Sequence, residues 1–474
     1  MYQTLIMPTT LPSMGERTNL HTTDEICRLI ATTMSRSGMR GLTETFVKLV
    51  KDGTLSPGDR LPSIRQLADY LGVSPTTIAS AWSHLAQLGL LNSHGRRGSF
   101  VSETARSTPA TPRWRFYEDQ RTYTLDFATG VPDPRLLPNP MTSITNLGSS
   151  AITSYLDPPV YQPLAETLRS RAPQRFSDRG FSLTVVDGAL DAIDRLLAAM
   201  PTYQRAVVLE EPNFPALYDL VESHGLEVRT VPIDDEGITI DVLRNQLIKG
   251  GVGLILLQPR SHNPTGYSLS LERASAFAEL LLQFPEVLVV EDDHSGLLST
   301  APLYTMVDQL GSRVAYVMSF SKSHGPDLRL AAIFADRDLV HELDRRRTLG
   351  PSWSSKLLQA VLNHMLNDPA TDELIAGAQQ IYAERRIAVA ELFAIDPRGS
   401  GINVWVDRSD ALGALLQLAH HHIRVAPGAN FYAANPAAAN QFRFTLSEPT
   451  VEFNRALERV AMALAGASYA SSYR

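Results

Sequence analysis

Apolar positions follow two rhythms along this chain, and the change between them divides it. Near the start the spacing is helical. Ile64, Leu67, Ala68 and Leu71 fall at i, i+3, i+4 and i+7 and make one apolar face. Ser63 is placed to cap that helix, and Gln66 three residues on completes a capping box. Gly72 ends it, because the residue beyond a last turn favours positive φ. Ser74 caps a second helix that has Pro75 at its first position. Ile78, Ala81, Trp82, Leu85 and Leu88 form the stripe this helix buries, and Thr76, Thr77, Ser80 and Ser83 lie off it. Gly89 stops it. The segment from Leu90 to Val101 then reads as a β-hairpin with a basic tip, His94-Gly95-Arg96-Arg97. From about Tyr123 the rhythm changes. Short unbroken apolar runs (Ala206 to Leu209, Leu254 to Leu257, Val287 to Val290, Val314 to Met318) alternate with helical patterns. That alternation predicts the α/β class, a mostly parallel sheet covered by helices.

The same pass sets the domain plan. Residues 1–37 are weakly patterned, with a short helix expected from Asp24 to Met34, and form an extension. Residues 38–102 form a compact helical unit with the hairpin. Residues 103–122 contain Ser107-Thr108-Pro109-Ala110-Thr111-Pro112 and no period, so they form a linker. Residues 123–474 form one large unit, with a smaller C-terminal lobe over about 375–474. A length of 474 residues accommodates this plan at roughly 100–200 residues per domain. Hydrophobic residues at 44% and charged residues at 20% exclude a disordered chain. A single cysteine, Cys27, excludes an internal disulfide and leaves no cysteine pair for zinc, so no metal site is expected. No run approaches the ~18 apolar residues of a membrane helix. Met1-Tyr2-Gln3 does not open a signal peptide. The expectation is a soluble cytoplasmic protein with no membrane partner.

Charge changes the picture once it is localised. The net charge of −7, taken whole, speaks against nucleic acid. Residues 1–105, however, carry ten Lys/Arg and eight Asp/Glu, and residues 70–102 contain no acid while carrying Arg96 and Arg97. Phosphate binding depends on charges within a screening length of ~8–10 Å, so the local balance decides. Two short helices joined by Gly72-Val73-Ser74 form a helix-turn-helix. Small hydroxyl residues at the start of the second helix suit contact with phosphates and base edges of double-stranded DNA, and a basic hairpin tip suits a minor groove.

The large unit carries its own chemistry. Ser319-Phe320-Ser321-Lys322 follows an apolar strand, and Arg329 comes seven residues later. A lone lysine is ordinarily a surface charge. A lysine at a strand end, with hydroxyls and a guanidinium nearby, can form a Schiff base beside a phosphate. Pyridoxal 5′-phosphate needs further groups, and successive strand ends supply them. Glu291-Asp292-Asp293-His294 offers a carboxylate for a pyridinium nitrogen. Asn263, in His262-Asn263-Pro264-Thr265-Gly266, offers a donor for the phenolic oxygen, and Phe214 offers a flat neighbour for the ring. Asp187-Gly188-Ala189-Leu190 opens an amphipathic helix whose N-terminus suits the phosphate. Five such coincidences in chain order are hard to reconcile with unrelated turns and surface charges.

Two resemblances extend these readings. Gly53-Thr54-Leu55-Ser56-Pro57-Gly58-Asp59-Arg60-Leu61-Pro62-Ser63, with Leu71-Gly72-Val73-Ser74 and Thr77, resembles the GntR winged helix-turn-helix. The resemblance implies DNA contacts from Arg65, Thr76, Thr77, His94, Gly95 and Arg96, alongside Ser74 and Arg97; Pro75 departs from the basic residue common there. The block from about Asp126 onward resembles fold-type I, class I aminotransferases through Asp126-Phe127-Ala128-Thr129-Gly130, Tyr155-Leu156-Asp157-Pro158, the segments above, Val404-Trp405-Val406 and Val425-Ala426-Pro427-Gly428. It implies a large α/β lobe and a small C-terminal α+β lobe. In the implied site Lys322 forms the Schiff base, Asp292 pairs with the pyridine nitrogen and Asn263 binds the ring oxygen. Phe214 stacks on the ring. Ser319, Ser321, Arg329, Gly188, Ala189 and Leu190 surround the phosphate. It further implies that Tyr155 reaches the phosphate of a neighbouring subunit in a head-to-tail, domain-swapped homodimer, and that Arg443 takes an effector carboxylate. His294 stands among the cofactor-binding residues where many relatives place Tyr against the ring oxygen, and imidazole can likewise donate or accept there; Asp187 stands where many have Ser or Thr, and Val160 where Gly is common. Both halves together resemble the MocR subfamily of bacterial regulators. That implies a transcriptional regulator responsive to pyridoxal phosphate or an amino compound, acting on vitamin B6 or amino-compound metabolism. The alternative is a working aminotransferase with a vestigial DNA-binding domain.

Overall fold

The computed structural model describes residues 21–34, 38–51, 54–55, 58–87, 91–93, 98–101, 123–147, 154–201, 203–433, 440–447 and 453–471. The chain divides into two compact units, Met1–Ala110 and Thr111–Arg474.

The first unit contains α1 (Thr23–Thr33), α2 (Met39–Lys51), α3 (Ile64–Leu71), α4 (Pro75–Gln87), β1 (Leu91–Ser93) and β2 (Ser99–Val101). Ile26, Cys27 and Ile30 of α1 share one core with Leu42, Phe46 and Leu49 of α2, Leu67 of α3 and Ile78, Ala81, Trp82 and Leu85 of α4. Helix α1, which falls in the stretch read as an extension, is thus built into the helical unit. Ile64, on the first turn of α3, is exposed. Ser63 Oγ accepts from the Gln66 backbone N–H at 3.2 Å, one half of the expected capping box. The other half, a bond from the Ser63 N–H to the Gln66 side-chain oxygen, is not formed; the Gln66 side chain turns to α1, where its Nε2 donates to Asp24 Oδ1 at 2.9 Å. Gly72 adopts the left-handed conformation, φ 66° and ψ 34°, that ends α3. Strands β1 and β2 pair antiparallel with Leu91 opposite Val101. The hairpin tip with His94, Gly95, Arg96 and Arg97, and also Leu88, lie outside the described residues.

The second unit is built on two sheets. One begins its strands with β3 (Leu125–Phe127), described below. The large sheet comprises β4 (Phe181–Val186), β5 (Ala206–Glu211), β6 (Glu227–Asp234), β7 (Gly237–Ile238), β8 (Val252–Leu257), β9 (Leu288–Asp293), β10 (Val314–Ser319) and β11 (Ala331–Asp336). Their order is β4-β11-β10-β9-β8-β5-β6-β7. Neighbours from β10 through β9, β8 and β5 to β6 are parallel, and β11 runs antiparallel to both β10 and β4. Both faces are covered, as unbroken apolar strands require. Val208, Ile255, Val289 and Tyr316 enter one core; Val207, Leu254, Val290 and Val317 enter the other. The acids expected just beyond the runs lie within the strands: β5 extends to Glu211 and β9 to Asp293.

The small sheet is β12 (Asn403–Asp407), β14 (Gln441–Thr445), β13 (Ile423–Pro427) and β3, in that order. Strand β3 precedes the large lobe in sequence, yet it pairs in parallel with β13. Three residues are too few to carry a period, so this partnership is not readable from the pattern.

Candidate functional site

The topology brings the expected residues to one place. Strands β5, β8, β9 and β10 end at the same sheet edge, and the antiparallel β11 starts there. Strand β4, antiparallel to β11, also ends there. Loops leaving those ends bound a cavity of about 500 Å³. Its walls include Lys322, Ser319, Ser321, Arg329, Asp292, His294, Asn263, Phe214, Ala189 and Leu190, and from the small lobe Arg443. Gly188 is the N-cap of the helix Ala189–Ala198, at φ 105°. A Cβ there would lie 2.8 Å from Arg329 Nη2, so the glycine lets the guanidinium lie against the helix start. Tyr155 does not join this cluster. It is 90% exposed and stands edge-on to Trp353 at 5.5 Å.

Strand alternation sorts the three consecutive acids. Glu291 turns to the face opposite the cavity, where Thr305 Oγ1 donates at 2.6 Å and the Met306 N–H at 2.8 Å. Asp293 faces the same way and accepts from Arg260 Nε at 2.9 Å, Arg260 Nη2 at 2.7 Å and Tyr316 at 2.8 Å. Asp292 alone lines the cavity. Its Oδ2 accepts a long bond, 3.4 Å, from Gln258 Nε2, and its buried Oδ1 has no partner. Burial, with the neighbouring Asp293 carboxylate, pushes its carboxyl up to about 7. A buried carboxylate oxygen left unpaired is costly, so the pocket is built to receive a donor there.

Lys322 Nζ donates to the Gly130 carbonyl at 2.6 Å. Burial and the guanidinia of Arg443 and Arg329 bring its amine down to about 8. Asn263 receives Arg443 Nη1 on its Oδ1 at 2.9 Å. Arg443 is buried, also donates to the Ala128 carbonyl, and lies over the Phe431 ring at 5.0 Å. Asp187, whose carboxylate would repel a phosphate, has Oδ2 3.8 Å from Arg347 Nη2, while its carbonyl accepts from Arg329 Nη2 at 3.2 Å. His294 Nε2 lies 3.0 Å from the Ser261 carbonyl. The amine, orphan carboxylate, oriented amide, helix N-terminus and arginine match the donor set that pyridoxal phosphate requires.

Sequence reasoning missed the layer beneath. Gln258, buried at the end of β8, donates to Asp292 through its amide and accepts the Asn263 N–H at 2.8 Å. Its own N–H goes to Glu210 Oε2 at 2.7 Å. Glu210 also lies 3.6 Å from His262 Nε2. Thr129 and Gly130, quoted only as an early motif, line the cavity as well. The strand-end criterion that found Asn263 would have found Gln258 had it been applied one turn earlier.

In the first unit the residues at the start of α4 form a hydroxyl cluster. Ser74 Oγ lies 2.8 Å from both Thr76 Oγ1 and Thr77 Oγ1 and accepts the Thr77 N–H at 3.2 Å. Ser74, Thr76 and, on α3, Arg65 are exposed, and Thr77 is half-buried. Among the described residues, no helix is long and apolar enough to cross a membrane.

Comparison with known proteins agrees with both halves. Residues 125–460 match the family Aminotransferase class I and II, and residues 43–101 match Bacterial regulatory proteins, gntR family. The vitamin B6 salvage pathway transcriptional repressor PtsJ of Salmonella typhimurium is 34% identical over 363 residues, covering 75% of this chain and 81% of that one. The HTH-type pyridoxine biosynthesis transcriptional regulator PdxR of Corynebacterium glutamicum is 25% identical, covering 74% and 77%. The crystal structure of Pyrococcus horikoshii kynurenine aminotransferase superposes with a TM-score of 0.65 at 20% identity, covering 74% of this chain and 93% of that one, which establishes the fold-type I architecture. A gntR-type head joined to an aminotransferase class I and II domain places this chain in the MocR subfamily of GntR transcriptional regulators.

Proposed function

We propose that this regulator binds pyridoxal 5′-phosphate in the cavity and answers to it, or to an amino compound reacting with it, in controlling genes of vitamin B6 or amino-compound metabolism. The observation that carries the proposal is the buried, unpaired Oδ1 of Asp292 in the same cavity as Lys322. The names of the relatives PtsJ and PdxR support the vitamin B6 assignment. When bound, the cofactor would supply an aldehyde as the electrophile for the Lys322 amine, with water as the leaving product. Lys322, brought down to about 8, keeps a useful neutral fraction near neutral pH. Asp292 holds a proton on the ring nitrogen. Asn263, its Oδ1 taken by Arg443, offers its Nδ2 donors. Phe214 packs on the ring. Ser319, Ser321 and Arg329, with the free N–H groups of Ala189 and Leu190 beyond Gly188, hold the phosphate. Arg443, which already holds Asn263 and the Ala128 carbonyl, takes the carboxylate of an amino-acid effector. The exposed Tyr155 supports a head-to-tail homodimer in which it serves the partner's phosphate site. Ser74, Thr76, Thr77, Arg65 and the hairpin tip contact DNA.

Lys322 also links the cavity to the chain beyond β3. Committing its nitrogen removes the hydrogen bond to Gly130. The test is DNA footprinting on the upstream region of the protein's own gene, with and without pyridoxal phosphate. The parent should change its footprint on loading, and Lys322→Ala should lose both the cofactor absorbance and the change. A Lys322→Ala variant that loses the absorbance yet keeps the parent's response would overturn the proposal. Sustained turnover of an amino donor and a keto acid would favour the enzyme alternative instead.

A further inference from the structure

His294 lines the cavity beside Lys322 and Asn263, where a ring oxygen has to be accommodated. A neutral imidazole has one N–H to give. Its Nε2 lies 3.0 Å from the Ser261 carbonyl, which can only accept, so the N–H sits on Nε2 and is spent there. That acceptor is immobile. Ser261 is buried, its N–H bonds Ser268 Oγ at 3.0 Å, and its Oγ bonds Ser299 Oγ at 2.7 Å and Ser400 Oγ at 2.6 Å. The other nitrogen, Nδ1, carries a lone pair, with Ser295 Oγ 3.5 Å away. A second proton on the ring is opposed by burial and by the charges of Lys322 and Arg260. Asp293 pulls the other way but is itself paired with Arg260, and the nearby His262 is held neutral. Together they bring His294 down to about 4. Asn263 is the reverse case: Arg443 Nη1 fixes its Oδ1 at 2.9 Å, which leaves the amide's donors free to act.

We infer that the cofactor's ring oxygen is served by Asn263, oriented through Arg443, and not by His294, whose only N–H is locked onto Ser261. The inference rests on the proposed cofactor site at Lys322. A donor to an oxygen anion stabilises it and makes the neighbouring proton easier to lose. A site with one such donor fewer therefore holds the proton of the Lys322 linkage to higher pH. The charged and titratable groups that share the cavity with that linkage are Arg443, Arg329, Asp292 and His294, and all three variants below leave both arginines and Asp292 in place.

The full-length protein, loaded with pyridoxal phosphate, is titrated with pH while the absorbance of the linkage is followed. His294→Tyr adds a phenol donor and should lower the midpoint by about one pH unit, the worth of one hydrogen bond to a charged oxygen. Asn263→Ala should raise it by about as much. His294→Phe should move it by less than half the Asn263→Ala shift. A rise in His294→Phe as large as that in Asn263→Ala overturns the inference alone. A parent protein that gives no such band overturns the cofactor assignment and this inference with it.

Discussion

Asp292 differs from its neighbours Glu291 and Asp293 in parity, and parity decides its chemistry. All three are buried. The flanking two find Thr305, Met306, Arg260 and Tyr316 on one face of β9, and of the three only Asp292 lines the cavity and keeps a buried oxygen without a partner. Asp292→Asn should therefore weaken pyridoxal phosphate binding about 10- to 100-fold, the worth of one charge-assisted hydrogen bond, in an absorbance titration. Glu210, in the layer beneath, is pushed up to about 8, chiefly by burial and also by Asp292, against the Gln258 N–H that lowers it. A carboxyl raised in the folded state binds a proton there that the unfolded chain has released. Its contribution to stability is present at acid pH and is lost as pH rises from about 4.5 through about 8. Glu210→Gln keeps an acceptor for Gln258 without the charge. Over that window the parent should lose stability relative to the variant, by up to about 1 kcal/mol per pH unit in urea unfolding. Parallel pH profiles would count against the assignment. Gln258 stands at a strand end and was open to the same criterion as Asn263, but its contact with Glu210 was not legible in the sequence, because it depends on β5 lying beside β8, with Leu209 opposite Leu256.

Whole elements were more legible than their joints. The caps and stripes of α3 and α4 follow from local chemistry, and Gly72 ends α3 as its position predicts. What local chemistry could not show was which partner a side chain prefers once helices pack. Gln66 leaves its own cap for Asp24 on α1, and that choice joins a weakly patterned stretch to the helical unit. The start of the helix Ala189–Ala198 is a joint of the same kind. Its Gly188 was read as part of a phosphate site from sequence. The reason it must be glycine, a guanidinium within 2.8 Å of where a Cβ would stand, needs Arg329 brought back by β11 antiparallel to β4. Gly188→Ala has to displace Arg329 and strain φ 105° at once. Affinity for pyridoxal phosphate should fall roughly tenfold while affinity for unphosphorylated pyridoxal changes little, since only the phosphate meets that arginine. Equal losses for both ligands would mean that the variant has disturbed the ring site instead.

At the scale of the whole molecule, the net charge of −7 misleads because it averages a gntR-type head, slightly basic over residues 1–105, with a larger acidic unit. The opposite failing hid β3. A strand of three residues carries no signal of its own, yet it is the first strand among the described residues of the second unit and belongs to the small lobe's sheet. The residues that follow it carry two of the cavity's hydrogen bonds. The Ala128 carbonyl accepts from Arg443, and the Gly130 carbonyl accepts from Lys322 at 2.6 Å. Gly130 has φ 62°, and a Cβ there would lie 2.9 Å from the Arg443 guanidinium, so this turn has little room to adjust when a partner is withdrawn. The residues just beyond the first described strand of the second unit are thus held by the lysine that the cofactor would claim. If the cofactor is taken at Lys322 as proposed, loss of the Lys322–Gly130 bond is the change expected in that segment. Lys322→Met removes the donor while keeping an unbranched side chain of similar length. In the absence of any cofactor it should give the footprint of the loaded parent and should not respond to added pyridoxal phosphate. If the cofactor-free variant instead keeps the unloaded footprint, the ring and phosphate contacts carry the signal, and Gly130 does not.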